Sequence, residues 1–229
     1  MSKIINKPLN ILSLGRCEYE KALVIQYDIL KKRQEGNIED TLILVEHPPV
    51  LTMGRLAKKA NIVCSEQLLK SNGIKIFETN RGGDVTYHGP GQIVGYPILD
   101  LKKYDMRVKW FVRNIEEVFI RLLMDKYNIN ASRSNGQIGV WVDNDKITAI
   151  GLSVKRGVTM HGFAYNVNTN LDHFNFIIPC GITDKGVTSI EQLVGKTIDI
   201  EKEKDAVIEY FCKVFNYNKC IELSREEYL

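Results

Sequence analysis

Between Arg81 and Pro97 the chain reads RGGDVTYHGPGQIVGYP. Five glycines (Gly82, Gly83, Gly89, Gly91, Gly95) alternate there with Arg81, Thr86, Tyr87 and His88. Lacking a Cβ, glycine reaches positive φ and lets the backbone approach a ligand closely. The side chains between the glycines both donate and accept, as a site that orients an acyl or amide group requires. An ordinary hairpin needs only one or two special residues. The density here marks a ligand-binding loop. Ile74–Glu78 is the strand expected to deliver it and Gln92–Leu99 the strand expected to leave it.

Outward from that loop the chain alternates helical and extended patterns. Apolar positions recur at helical spacing over 19–34 and over Val108–Tyr127, where Val108, Phe111, Val112, Ile115, Phe119, Leu122 and Leu123 form one face. Thr41–Val45 reads as a buried strand that Pro48-Pro49 ends. Gly139–Val142 and Lys146–Val154 flank Asp143-Asn144-Asp145, which has hairpin-turn chemistry, and Phe163–Val167 is a further strand. Thr188-Ser189-Ile190-Glu191 carries capping-box spacing before a short helix, and Glu203–Phe215 closes the chain as a helix. Strands outnumber helices and several are hairpin-linked. The fold class is therefore α+β, a largely mixed or antiparallel sheet flanked by helices in one domain over 1–229.

Composition narrows the function class. The 229 residues are 44% hydrophobic and 26% charged, with a formal net charge of +3, too small to argue for nucleic acid. The local pairs Lys102/Lys103 and Lys155/Arg156 read as solvated surface. Five cysteines (Cys17, Cys64, Cys180, Cys212, Cys220) have irregular spacing, with no CxxC pair or Cys/His cluster of zinc type, so no metal is expected. No apolar run is long enough to span a bilayer, and the first residues lack a signal-peptide core. A reducing cytoplasm with free thiols is the expected setting.

Cys180 stands between Pro179 and Gly181 after the apolar run Phe176-Ile177-Ile178. A thiol nucleophile needs a partner that favours the thiolate, and Lys146, His161 and His173 lie in the same part of the chain. Strand alternation places Lys146 on the face of Thr148, Ile150 and Leu152. His173, at a charged-to-aromatic junction, reads as a surface residue, and His161, beside Gly162, as a pocket residue.

The glycine stretch, together with KITAIGLSVKRGVTMHGFAYNVNTNLDHFNFIIPCGI (146–182) and the weaker Val45–Gly54 piece, resembles the lipoyl(octanoyl) transferases of the biotin/lipoate protein ligase-like superfamily. The likeness is strongest over about 41–195. It implies an acyltransferase that moves an octanoyl group from octanoyl-acyl carrier protein to a lysine of lipoyl domains, in 2-oxo acid dehydrogenases or the glycine cleavage H protein. It also implies Cys180 as acyl-thioester nucleophile and Lys146 as its activator. Arg81, Gly82, Gly83, Asp84, Val85, Thr86, Tyr87 and His88 would form one wall of the acyl site. Ala149-Ile150-Gly151 and Gly162-Phe163-Ala164 would form the others. No cofactor is implied, because the thioester arrives activated. Tyr165, expected beside the pocket, stands where the family often has leucine, a tolerable swap that leaves acyl chain length open. The alternatives are an ATP-dependent lipoate or biotin ligase, a silent acyl- or lipoyl-domain-binding module, and a cysteine hydrolase, which would want a histidine partner.

Overall fold

The computed structural model describes residues 7–104, 106–178 and 186–229. Along the chain, β1 (Pro8–Arg16) is followed by α1 (Tyr19–Glu35), β2 (Thr41–Glu46), β3 (Val50–Met53), α2 (Glu66–Ser71) and β4 (Lys75–Glu78). Next come β5 (Val85–His88), β6 (Gln92–Ile98), α3 (Val108–Tyr127), β7 (Ser132–Ser134), β8 (Gln137–Val142), β9 (Asp145–Lys155) and β10 (Val158–Asn166). The last elements are β11 (Gly186–Val187), α4 (Ile190–Val194), α5 (Ile200–Phe215) and β12 (Lys219–Glu222).

Among the described residues the main sheet runs β12-β1-β2-β6-β10-β9-β8-β7, with β11 added beside β9. The pairs β1–β12, β1–β2 and β9–β11 are parallel, and the neighbours from β2 to β7 are antiparallel. A small sheet, β4-β3-β5, stands apart. The mixed sheet and flanking helices are the α+β arrangement read from the sequence.

Strand alternation sorts the main sheet into two cores. On one face Leu42, Leu44, Ile93, Phe163 and Tyr165 pack under Phe111, Ile115, Phe119 and Leu122 of α3 and Val207, Phe211 and Phe215 of α5. On the other, Ile43, Val45, Val94, Tyr96 and Ala164 pack under Ala22, Ile25 and Ile29 of α1. A third cluster of Leu51, Met53, Leu69, Ile74, Val85, Tyr87 and Ile177 holds the small sheet to the segment that enters Cys180.

Several expected details differ. The glycine stretch is not one loop, because Val85–His88 is a strand paired with β3. The cap of α4 is Ser189, whose hydroxyl accepts from Gln192 N, so Gln192 and not Glu191 occupies the third helical position. Tyr165 does not border the acyl site: its side chain faces the α3/α5 core, and its hydroxyl donates to Glu203 at 3.1 Å.

Candidate active site

A cavity of about 710 Å³ opens between the middle of β9 and β10, the Arg81–His88 segment and the β7–β8 hairpin, a size typical of small-molecule sites. It gathers nearly every candidate residue of the described chain. Arg81, Gly82, Gly83, Asp84, Val85, Thr86 and His88 line it from one side. Ala149, Ile150, Gly151, Gly162, Phe163 and Ala164 line it from the sheet, and Lys146 and His161 reach it as well. Tyr87 does not. It is 1% exposed within the small-sheet core, and its hydroxyl lies 2.8 Å from His173 Nδ1. Cys180 lies outside the described residues.

Lys146 faces the cavity through a device that simple alternation misses. Val140 of β8 pairs with Thr148, whereas its neighbour Trp141 pairs with Lys146, so Ile147 is an extra residue on β9. Such a bulge reverses the facing of everything before it. Ile147 turns into the α3/α5 core with Val140, and Lys146 turns to the opposite face, where its Nζ lies 4.7 Å from the centre of the Trp141 ring. The lysine therefore does not share a face with Thr148 and Ile150.

Arg81 builds the wall and does not reach across the cavity. Its Nε donates to Thr52 Oγ1 (3.2 Å), its Nη2 to Thr52 O (2.5 Å) and Asp84 O (2.7 Å), and its Nη1 to Gly82 O (3.0 Å). A guanidinium offers donors in a fixed fork, which suits it to lock a loop rich in carbonyls. Gly82 N in turn donates to Leu152 O (2.9 Å), joining the loop to β9 beyond the reach of β8.

Behind the loop runs a relay of buried amides. Gln92 Nε2 donates to Tyr87 O and to Asn166 Oδ1 (2.9 Å), so Gln92 Oε1 is the acceptor that faces His88 Nδ1 at 2.8 Å. His88 consequently carries its proton on Nδ1, and Nε2 accepts from Thr52 Oγ1 (3.3 Å). Asn166 Nδ2 donates to Thr188 O (3.0 Å), and Thr188 N donates to Lys146 O (3.0 Å). The relay thus connects the glycine loop to the backbone of Lys146. Gln92 was within the quoted stretch and Asn166 within the second block, but 74 positions separate them and only the fold joins them.

The histidines around the cavity are neutral. Burial pushes His88 down to about 3, helped by the neighbouring His47, and His47 to about 4. Burial, with Arg81 adding to it, pushes His161 to about 4. His161 has φ +60° in the middle of β10, and its Nε2 lies 2.6 Å from Asn80 Oδ1. His173 is held by Tyr87 and lies tilted against the Phe176 ring, so it is not a plain surface residue.

The Lipoyl protein ligase A/B catalytic domain family matches residues 18–212. This chain belongs to that family. Within it, the chain is similar to an octanoyltransferase of Alkaliphilus metalliredigens, 61% identical over 92% of this chain and 96% of the relative. It is similar also to one of Caldicellulosiruptor bescii, 57% identical over 90% and 91%. The fold matches a lipoate-protein ligase A bound with ATP at a TM-score of 0.79, with 18% identity over 96% of this chain and 91% of that one. The protein is an enzyme of the acyltransferase class. No helix among its described residues is long and apolar enough to cross a membrane.

Proposed function

We propose that this family member transfers an octanoyl group from octanoyl-acyl carrier protein to the ε-amine of a lipoyl-domain lysine, through a thioester on Cys180. One observation carries the reading: both ends of the segment that holds Cys180 are fastened to the cavity wall. On the entering side, two residues before the cysteine, Ile178 N donates to Asn61 O (2.8 Å). The Asn61 amide donates to Asp84 of the glycine loop (2.6 Å). On the leaving side, Gly186 and Val187 pair with Asp145 and Lys146.

In this reading the Lys146 ammonium acts on the Cys180 thiol. The positive charge favours the thiolate, which attacks the thioester carbonyl. As the carrier's sulfur leaves, it takes the proton of Lys146, so the first half-reaction ends with a neutral amine and an acyl-enzyme. The acceptor lysine then attacks that thioester, gives its proton to Lys146, and releases the Cys180 thiolate. The pair returns to its starting charges. The apolar part of the lining, with Val108, Val112, Ile138, Ile150 and Leu152, suits the alkyl chain. Burial there is worth about 0.8 kcal/mol per methylene.

A transfer assay with purified octanoyl-acyl carrier protein and an apo lipoyl domain, run with and without ATP, tests the reading. Octanoylated lipoyl domain should accumulate equally in both. Product only from free octanoate plus ATP would make the enzyme a ligase. Free octanoate without modified domain would make it a hydrolase.

A further inference from the structure

We propose that Trp141 is a positioning residue for the transfer reaction, its ring face holding the Lys146 ammonium at the cavity wall while Gly139 leaves room for the lysine stem. The proposal rests on the reading of Lys146 as the group that gives and takes the proton. Three independent features of the β8–β9 pair converge on it. Nζ stands 4.7 Å from the Trp141 ring centre, inside the roughly 6 Å reach of a cation–π contact. Trp141 is only 3% exposed, so little water competes for the ring face, and Trp is the strongest aromatic partner for a cation. The bulge at Ile147 is what brings the two residues opposite each other.

Gly139 completes the seat. Its φ is +133°, a region that L side chains rarely adopt, and a Cβ there would lie 2.7 Å from Thr148 O and 3.3 Å from Lys146 Cε. The strand is held in that conformation from outside. Gly139 N donates to Glu116 Oε1 on α3 (3.2 Å), and Arg133 Nε donates to Glu116 Oε2 (3.0 Å). Glu116 is 5% exposed, so its bond to Gly139 is buried, while Arg133 holds it from the exposed side.

Apart from the Cys180 thiol, whose ionisation gives the ascending limb, the other titratable side chains lining the cavity among the described residues leave the alkaline range clear. His88 and His161 titrate at about 3 and about 4, Tyr19 at about 12, and Tyr96 well above the usual tyrosine value. Arg81 stays charged throughout, and the carboxylate of Asp84 is engaged by Asn61. On the lysine's own strand, exposed Asp145 is the neighbouring carboxylate, and β8 contributes no charge opposite the ring.

The ring favours the protonated lysine. Removing it should therefore make the ammonium lose its proton at lower pH, by about one unit. The experiment measures the rate of acyl-enzyme formation from octanoyl-acyl carrier protein against pH, by intact mass, for the parent, Trp141→Phe, Trp141→Leu and Lys146→Ala. The alkaline limb should move down about one unit in Trp141→Leu and by less in Trp141→Phe. Since Trp141→Leu could fail to fold, fluorinated tryptophan provides a second route. With Trp110→Phe, Trp141 is the sole remaining tryptophan of the two in the chain. Stepwise fluorination then weakens the ring face at nearly constant shape, and the limb should move down stepwise. A limb that stays in place in both series, while Lys146→Ala is inactive, overturns the role of Trp141 alone. A Lys146→Ala enzyme with parental rates overturns the lysine reading beneath it.

Discussion

Gly151 and Gly162 pair with one another across β9 and β10, yet the same substitution should have different consequences at the two. A Cβ at Gly162 would overlap the Gly95 carbonyl oxygen and come within 2.5 Å of Pro97 Cδ, both parts of the neighbouring strand β6. Neither can move without disturbing the β6–β10 pairing. At Gly151 the Cβ would meet the Gly82 backbone carbonyl at 2.9 Å and Arg81 Cδ at 3.4 Å, a smaller overlap that falls on the Arg81–Gly83 wall and not on a core strand. Overpacking costs about 1–3 kcal/mol where the surroundings are rigid. In a chain of this size about 3 kcal/mol lowers Tm by roughly 6–12 °C. Gly162→Ala should sit at the upper end of that range, with its preference between hexanoyl and octanoyl donors unchanged. Gly151→Ala should sit at the lower end of the overpacking range, about 1 kcal/mol or roughly 2–4 °C. It should push the Arg81–Gly83 wall and crowd the longer chain. Two buried methylenes are worth about 1.6 kcal/mol, so the octanoyl-to-hexanoyl ratio of kcat/KM should fall by up to about 15-fold. Differential scanning calorimetry and paired donor kinetics read both. A parental Tm for Gly162→Ala, or an unchanged donor ratio for Gly151→Ala, refutes the assignment of one glycine to the fold and the other to the acyl groove.

Three other perturbations bear on the site. Lys146→Ala should move the pH dependence of Cys180 alkylation to higher pH, while Lys146→Arg should keep part of the alkylation and lose most of the transfer; matching losses in both assays for Lys146→Arg would remove the proton-transfer role. His88, His47 and His161 titrate at about 3, 4 and 4 when folded against 6.5 when unfolded. Between about pH 6.5 and 4 the unfolded chain binds protons that the folded one refuses, so stability should be full above about pH 7 and decline by a few kcal/mol on acidification; thermal melts at descending pH check this, and a flat profile contradicts it. Asn61→Ala removes the bond to Asp84 and should lower kcat/KM about tenfold with a Tm loss of only a few degrees, and Asn61→Asp, which sets two carboxylates together, should be worse; equal activity in both variants would show that the Asn61–Asp84 link does not position the loop.

What the sequence made legible were the elements with a strong period and the residues close together in the chain. The α3 stripe from Phe111 to Leu123 packs on the sheet as its period requires, whereas Val108 and Val112 of the same stripe reach the cavity, and the glycine stretch announced its wall directly. The facing of Lys146 was not legible, because a single extra residue at Ile147 reverses alternation and leaves no compositional trace. Tyr165 was misplaced for the complementary reason: its neighbours suggest the pocket, but the pairing of Tyr165 with Thr148 puts it on the helix-covered face. β1 is not legible in the sequence because it is buried on both faces and shows no period of two. Trp141, Gln92 and Asn166 became meaningful only when the sheet brought distant positions together. Each is ordinary core or amide in sequence.

The proposed transfer requires a covalent octanoyl intermediate on Cys180. Its most direct measurement is intact mass followed by peptide mapping after the enzyme is mixed with octanoyl-acyl carrier protein and no acceptor. One octanoyl adduct is expected, located on the peptide that contains Cys180, absent in Cys180→Ser, and discharged when an apo lipoyl domain is added. Transfer to the lipoyl domain by Cys180→Ser at a rate near the parent's would contradict it.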